Sequence, residues 1–243
     1  MVSQLVFGEA IEILKHEDTW IHVRNLYDGY TGWMDIRLAS PLQASISPDT
    51  LLIGKYADAL LLPIFRNDIY GYKVQVLGRG AFFPDVLCTD AEEGVYQFGK
   101  VNIEVNLEAL QNPLPCAGEN IVNIASDFLN VPYLWGGRSF QGIDCSGLVQ
   151  MVYRICGIQL PRDAYKQAQC GRTIAFEQAQ PGDIAFFSNS EGKIIHTGIF
   201  AGEGEIIHAA GFVKTDELRE DGIYDISLAQ KTHTLHSIQS QLP

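Results

Sequence analysis

Cys145 lies where a helix is predicted to begin, in the sequence Asp144-Cys145-Ser146-Gly147-Leu148. A helix N-terminus carries partial positive charge and offers backbone N–H groups that lack partners, and both effects favour thiolate over thiol. Because the thiolate is the reactive form of cysteine, this position suits a nucleophile.

Two histidines follow in strand-like sequences, His196 in HTGIF and His208 in IIHAA. A hairpin at residues 202–204 is predicted to join the two strands, so both side chains are expected on one face of an antiparallel pair. A nucleophilic thiol needs a base and a group that orients the base. The sequence predicts Cys145 as nucleophile, His196 as base and His208 as the orienting residue.

The other cysteines and histidines form no pattern of their own. The cysteines have neither metal-ligand spacing nor a disulfide framework, so no metal and no cofactor is predicted. We expect four cysteines to be small buried apolar residues, as free cysteines usually are: Cys88, Cys116, Cys156 and Cys170. Four histidines are interpreted as surface residues: His16, His22, His233 and His236.

Composition limits the classes of partner. The chain has 243 residues, of which 47% are hydrophobic and 19% charged, so a packed core is expected. A formal net charge of -12 without a basic run argues against nucleic acid. No run is long and apolar enough for a membrane span. The first 13 residues lack the features of a signal peptide, so a cytoplasmic protein is expected, or a periplasmic or secreted one if an export segment was removed.

The predicted secondary structure that positions these residues differs between the two halves of the chain. Residues 1 to about 110 read as short strands joined by turns, which is typical of small barrels. A linker is predicted at Pro113-Leu114-Pro115. Beyond it, helices are predicted at residues 119–130, 145–156 and 162–169, and strands at residues 184–187, 194–200 and 205–209. Helices followed by antiparallel strands predict an α+β domain.

This second region resembles the NlpC-type family of papain-like cysteine peptidases, which cut bacterial cell-wall peptides. The resemblance covers residues 118 to 210 and follows the order of the family's motifs. Six segments carry it: Pro132-Tyr133-Leu134-Trp135-Gly136-Gly137, Asp144-Cys145-Ser146-Gly147-Leu148, Leu160-Pro161-Arg162-Asp163, Pro181-Gly182-Asp183, His196-Thr197-Gly198-Ile199-Phe200 and Ile207-His208-Ala209. It implies helices packed on an antiparallel sheet and the three catalytic roles given above.

The resemblance also implies roles around the thiol. Tyr133 matches a tyrosine whose hydroxyl, with the Cys145 backbone N–H, would bind the oxyanion. Asp144 and Ser146 match positions that contact substrate, and Asp144 is chemically suited to pair with an α-ammonium group. An aspartate just before a helix also serves as its N-cap, and both roles are compatible. Two further candidates for substrate contact are Trp135 and Asp163.

The N-terminal half resembles the bacterial SH3-type barrels that often precede this catalytic domain, through Gly8-Glu9 and the segment from Asp28 to Trp33. We expect one barrel over residues 1–44, a second, divergent SH3-like domain over 45–114 and the peptidase domain over 115–243. The closest branch is the γ-D-glutamyl-L-diamino acid peptidases, or dipeptidyl-peptidase VI type. There the barrel walls the cleft, which implies substrate-binding roles for Tyr30 and Glu9.

The expected function is cleavage of the γ-D-glutamyl–L-diamino acid bond of murein peptides with a free N-terminal L-alanine, which releases L-Ala-D-Glu. An intracellular protein would recycle wall fragments, and an exported one would trim wall or scavenged peptides. Two alternatives stay open: an amidase or acyl transferase that uses the same site, and a catalytically inactive wall-peptide binding module. The sequence does not give the oligomeric state or the preferred diamino acid.

Overall fold

The computed structural model describes residues 1–42, 46–68 and 71–243, and its contacts divide the chain into two compact units. One unit is Leu5–Pro113, and the other joins Met1–Gln4 to Leu114–Pro243. The boundary between the units therefore falls within the proline-containing segment that sequence composition indicated as a linker. The boundary expected at residues 44/45 lies outside the described residues.

The Leu5–Pro113 unit is built from short antiparallel strands. Its strands are β1 (Ile11–Glu17), β2 (Trp20–Asn25), β3 (Thr31–Asp35), β4 (Gly54–Ala57), β5 (Leu61–Asp68), β6 (Gly71–Gly78), β7 (Phe82–Pro84), β8 (Cys88–Asp90), β9 (Val95–Phe98), β10 (Val101–Glu104) and β11 (Leu110–Gln111). They form sheets of order β1-β2-β3, β6-β5-β10-β9-β8 and β11-β4-β7. Strand alternation buries Ile64, Phe83 and Ile103 in a shared core, against which the Phe7 ring packs.

The second unit carries the three helices and the largest sheet. Its elements are α1 (Gly118–Asp127), β12 (Arg138–Ser139), β13 (Gly142–Ile143), α2 (Cys145–Ile155), α3 (Ala164–Gln167), β14 (Arg172–Ile174), β15 (Ile184–Ser188), β16 (Ile194–Gly202), β17 (Glu205–Ala210), β18 (Phe212–Arg219), β19 (Gly222–Asp225) and β20 (Gln230–Ser240). The three strands predicted here match β15, β16 and β17. The third helix is shorter than expected.

The sheet of this unit closes on itself. Its order is β14-β20-β15-β16-β17-β18-β19, and β20 also pairs with β19, so the six strands from β15 to β20 form an antiparallel barrel. The predicted antiparallel sheet with a helix packed on it is present, and the structure adds that this sheet closes into a barrel. The long strand β20 makes it possible, because its eleven residues pair with β15 at one end and with β19 at the other.

Helix α2 is buried along its whole length and packs against β16 and β17. Its start lies close to neighbouring backbone, since a Cβ on Gly147 would come within 2.3 Å of the Gly137 carbonyl oxygen. Its last turn is followed by the buried Cys156, whereas Cys88, Cys116 and Cys170 are half-buried, less buried than predicted. Among the described residues, helices long and apolar enough to cross a membrane are absent.

Candidate active site

Cys145 is the first residue of α2 and is 9% exposed. The carboxylate of Asp144 accepts a hydrogen bond from the Gly147 N–H at 2.7 Å and so caps the helix. The backbone N–H groups of Thr197 and Ser146 hydrogen-bond the thiol. The sulfur therefore lies between the helix N-terminus and strand β16.

The pKa of Cys145 does not follow the sequence expectation. Burial, and after it the nearby Asp144 carboxylate, raise the pKa of Cys145 to about 11. The two backbone hydrogen bonds and the Arg162 charge act in the opposite direction but do not outweigh burial. The helix N-terminus favours the thiolate, as expected, but it does not yield one here, because burial has the larger effect and the thiol holds its proton at neutral pH.

His196 and His208 lie on the adjacent strands β16 and β17, in which Gly198 pairs with His208. The Nε2 atom of His196 is 2.8 Å from Nδ1 of His208, and the two ring planes are nearly perpendicular, at 82°. Since Nε2 of His196 faces His208, Nδ1 is the ring nitrogen of His196 that remains as the candidate to accept the Cys145 proton.

The environment of His196 disfavours positive charge. Burial lowers the pKa of His196 well below 6.5, and the neighbouring His208, His233 and Lys214 lower it further. The imidazole is therefore neutral at neutral pH and able to accept a proton. A protonated thiol beside a neutral base is an arrangement in which proton transfer accompanies nucleophilic attack.

The structure adds a carboxylate that the sequence interpretation missed. Asp216 on β18 is 2% exposed, and its Oδ2 atom lies 3.0 Å from Nε2 of His208. Lys214 donates to Asp216 at 2.8 Å and also pairs with Asp225. Charged residues alternate at positions 214 and 216, just after the strand that contains His208. This pattern was the sequence signal that could have indicated Asp216.

A third histidine also belongs to the site. The ring of His233 stacks on that of His196, with centroids 4.2 Å apart and planes 24° from parallel. Burial lowers the pKa of His233 to about 4. The interpretation of His233 as a surface residue is therefore wrong, because β20 closes the barrel beside β15 and brings this ring over the base. His236 is exposed, as expected.

Asp144 and Ser146 are held by an arginine from the loop before α3. The Nη2 atom of Arg162 pairs with Asp144 at 2.6 Å, and its Nη1 donates to the Ser146 hydroxyl at 2.8 Å. The Gly136 N–H also donates to Asp144 at 2.8 Å. Both side chains expected to contact substrate are thus buried and engaged within the protein, and the N-cap role of Asp144 is present.

The aromatic candidates lie in the loop before β12. Burial, and after it the proximity of Cys145 and Asp144, raise the pKa of Tyr133 to about 12, so the phenol is neutral and close to the thiol. Trp135 is 70% exposed and presents its ring to solvent. Asp163 precedes α3 and forms an ion pair with Lys166 at 3.3 Å.

The two N-terminal candidates belong to the Leu5–Pro113 unit. Glu9 is half-buried, and its carboxylate accepts a hydrogen bond from the Val6 N–H at 3.0 Å. Tyr30 is also half-buried, at the turn before β3, where its N–H donates to Asp28. In the described parts of the chain, no group of three or more metal-binding side chains is arranged to hold a metal ion.

A thiol that is served by a chain of two imidazoles is suited to covalent catalysis of acyl transfer, which is the chemistry of cysteine peptidases. Residues 130–231 match the NlpC/P60 family model, and residues 1–37 match the bacterial dipeptidyl-peptidase SH3 domain. The chain belongs to the NlpC/P60 family and is a cysteine peptidase with an N-terminal SH3 domain.

Individual relatives match most of the chain. It is 29% identical to a γ-D-glutamyl-L-lysine dipeptidyl-peptidase of Bacillus subtilis, over 89% of this chain and 74% of the relative. It is 37% identical to a protein of the same name from Bacillus cereus, over 85% of this chain and 66% of the relative. The crystal structure of an NlpC/P60 family protein from Bacillus cereus shares the fold, with a TM-score of 0.79 at 20% identity, over 99% of this chain and 82% of that one.

Proposed function

We propose that this peptidase hydrolyses the γ-D-glutamyl–L-diamino acid bond of murein peptides that carry a free N-terminal L-alanine, and that it releases L-Ala-D-Glu. The observation that carries the proposal is the 2.8 Å contact between His196 and His208, next to Thr197, whose N–H hydrogen-bonds the buried Cys145 thiol. The named relatives, which match most of the chain, support the choice of bond.

The first half of the reaction forms an acyl-enzyme. His196 Nδ1 takes the thiol proton as the Cys145 sulfur attacks the carbonyl carbon of the γ-D-glutamyl bond. The Tyr133 hydroxyl and the Cys145 backbone N–H stabilise the oxyanion. His196 then returns the proton to the amine of the diamino acid, which leaves and breaks the C–N bond. A thioester between Cys145 and L-Ala-D-Glu remains.

The second half is hydrolysis of this thioester. A water molecule replaces the departed amine, and His196 removes its proton as the oxygen attacks the thioester carbon. The proton returns to sulfur as the C–S bond breaks, which regenerates the thiol and releases the dipeptide. The raised pKa of Cys145 favours this return, because it makes the protonated thiol the stable form at neutral pH.

Recognition of the free amine is a separate part of the proposal. Arg162 already neutralises Asp144, so a substrate ammonium group would have to share this carboxylate with the guanidinium group. Glu9 and Tyr30, which the sequence resemblance named for substrate binding, stay candidates for amine binding in this proposal, as does Asp144. A blocked amine would leave these polar groups unpaired, which is an effective basis for rejection.

The test is mass spectrometry of L-Ala-γ-D-Glu-meso-diaminopimelate and the corresponding L-lysine peptide after incubation with the full chain. N-acetylated copies of both peptides and the Cys145→Ala protein serve as controls. Release of L-Ala-D-Glu from the free-amine peptides alone supports the whole proposal. Cleavage of the acetylated copies refutes the amine requirement. Cleavage of a different bond, or transfer to an amine acceptor, supports the amidase or acyl transferase alternative, and no cleavage supports the binding-module alternative.

A further inference from the structure

The carboxylate of Asp216 lies at the far end of the imidazole pair from the thiol. It accepts a hydrogen bond from His208, at 3.0 Å between Oδ2 and Nε2, and others from Lys214 and from the Ile226 N–H, at 2.8 Å and 3.2 Å. It is 2% exposed, so these contacts replace water around a buried charge. None of them touches the thiol.

An imidazole as orienting group creates a problem that an amide or a carboxylate does not. The hydrogen bond between His196 and His208 holds one proton, and either ring is able to carry it. If His208 Nδ1 carries the proton, neutral His196 must place its own proton on Nδ1, where it blocks the base. Only the form in which His196 Nε2 carries the proton leaves a lone pair directed at Cys145.

An ionised carboxylate at the second nitrogen of His208 removes this ambiguity. A carboxylate only accepts hydrogen bonds, so His208 Nε2 must carry a proton, and the Nδ1 of neutral His208 is then an acceptor. His196 must therefore donate from Nε2, and its Nδ1 keeps the lone pair. The charged groups around His208 are Asp216 and Lys214, and the other imidazoles facing it are His196 and His233.

Asp216 is ionised under the conditions in which the enzyme would act. Although burial alone favours the protonated acid, hydrogen bonds from His208, Lys214 and Ile226 lower the pKa of Asp216 to about 2. Asp225 holds Lys214 in place from the other side. The cluster thus presents a fixed negative charge to His208 throughout the neutral range.

We propose that Asp216 is a positioning residue that sets the tautomer of His208 and, through His208, the tautomer of the base His196. The inference rests on the proposed function only in assigning His196 as the base for Cys145. Asp216 itself touches neither the thiol nor the site of attack. Its effect is to keep the reactive nitrogen of His196 unprotonated in the resting enzyme.

The tautomers are measured directly by long-range ¹H–¹⁵N correlation spectra of the ¹⁵N-histidine-labelled full chain, in a Cys145→Ala background that removes the thiol proton. We expect protonated Nε2 and unprotonated Nδ1 for both His196 and His208. Asp216→Asn should convert these rings into a mixture of tautomers, because an amide is able to donate as well as accept. Unchanged tautomers in Asp216→Asn overturn the proposal.

The functional test uses alkylation of Cys145 by iodoacetamide, with the modified site identified by mass spectrometry, alongside peptide cleavage. Asp216→Asn should reduce both rates about 10–100-fold, as the loss of an outer hydrogen-bond partner does in other sites. The matched control is Asp221→Asn, which removes an exposed carboxylate that pairs with Lys231, in the turn between β18 and β19. The rates for this control should stay within about twofold of wild type.

A His208→Asn background separates tautomer selection from a general structural role. Asparagine has no tautomers, so Asp216→Asn should change the alkylation rate less than about threefold in that background. An equal loss in both backgrounds overturns the proposal, because it would show that Asp216 acts only through folding. If the wild-type protein alkylates normally but cleaves no murein peptide, the proposed function fails while the spectra and alkylation rates still decide the role of Asp216.

Discussion

The buried ion pair between Asp144 and Arg162 yields the sharpest stability prediction. Asp144→Ala removes the cap from Gly147, which costs about 1 kcal/mol for a typical N-cap. It also leaves the Arg162 charge buried without its partner, at a cost of about 3–5 kcal/mol. Because the two effects overlap, we expect a total loss of about 4 kcal/mol in the free energy of unfolding.

The assay is urea denaturation of the full chain, in which pulsed alkylation of Cys156, a buried residue directly after α2 that the catalytic site does not use, reports on the unit that contains α2. Arg162→Met removes the other charge, and the double variant should be more stable than the sum of the single losses predicts, by about 2 kcal/mol. The control is Asp163→Ala, which breaks the more exposed pair with Lys166 and should cost less than about 1 kcal/mol. A loss below about 1 kcal/mol for Asp144→Ala, or strict additivity in the double variant, refutes this reasoning.

Three further predictions concern the base, the oxyanion and pH. Gly198→Ala places a Cβ 2.8 Å from that of His208, so displacement of this ring should reduce kcat/KM about 100-fold in steady-state assays. Tyr133→Phe removes the phenol near the thiol and should lower kcat about 10²–10³-fold with little change in KM. His196 and His233 are buried in the neutral form, so the unfolded state binds more protons below pH 6.5, and urea denaturation should show stability falling from there towards pH 4.

Each of these three predictions has a specific result that would contradict it. Gly32→Ala is the control for the glycine prediction, because its Cβ would meet open space, and it should leave kcat/KM unchanged. Equal losses in the two glycine variants would remove the steric argument. Wild-type kcat in Tyr133→Phe would exclude the phenol from oxyanion binding. A free energy of unfolding that stays constant between pH 6.5 and 4 would contradict the neutral burial of the two rings.

The elements that carry the nucleophile and the base were predictable because their patterns are strong. An apolar face with a capping aspartate and a following glycine predicted a helix at residues 145–156, and α2 spans Cys145–Ile155. Apolar runs separated by a glycine hairpin predicted the strands that became β16 and β17. Local sequence determines such elements, since each is recognisable without knowledge of its neighbours.

The barrel and the outer part of the site were not predictable in this way. Strand β20 has the sequence QKTHTLHSIQS, in which polar residues outnumber apolar ones, so it lacks the alternation that marks a strand. Its register against β15 and β19 brings His233 to the base. In the same way, the pairing of β17 with β18 places Asp216 beside His208. These contacts depend on which strands pair and in what register, and the sequence of a single strand does not show its pairing partners.

The pKa of Cys145 was misjudged because two effects of different size compete. A helix N-terminus stabilises a negative charge by about 0.3–1 kcal/mol, which is less than one pKa unit. Burial, with a smaller contribution from Asp144, instead raises the pKa of the Cys145 thiol from 9.0 to about 11. Sequence indicates the helix end but not the depth at which the sulfur is buried, so it supplied only the smaller effect.

The central claim is that Cys145 attacks the γ-D-glutamyl carbonyl with His196 as its base. Rapid acid quenching of the full chain with L-Ala-γ-D-Glu-meso-diaminopimelate, followed by peptide mass spectrometry, tests it most directly. We predict an L-Ala-D-Glu thioester on the peptide that contains Cys145, formed in wild type and absent from Cys145→Ala and His196→Ala. Cleavage without a thioester, or a thioester that forms equally well without His196, would contradict the account.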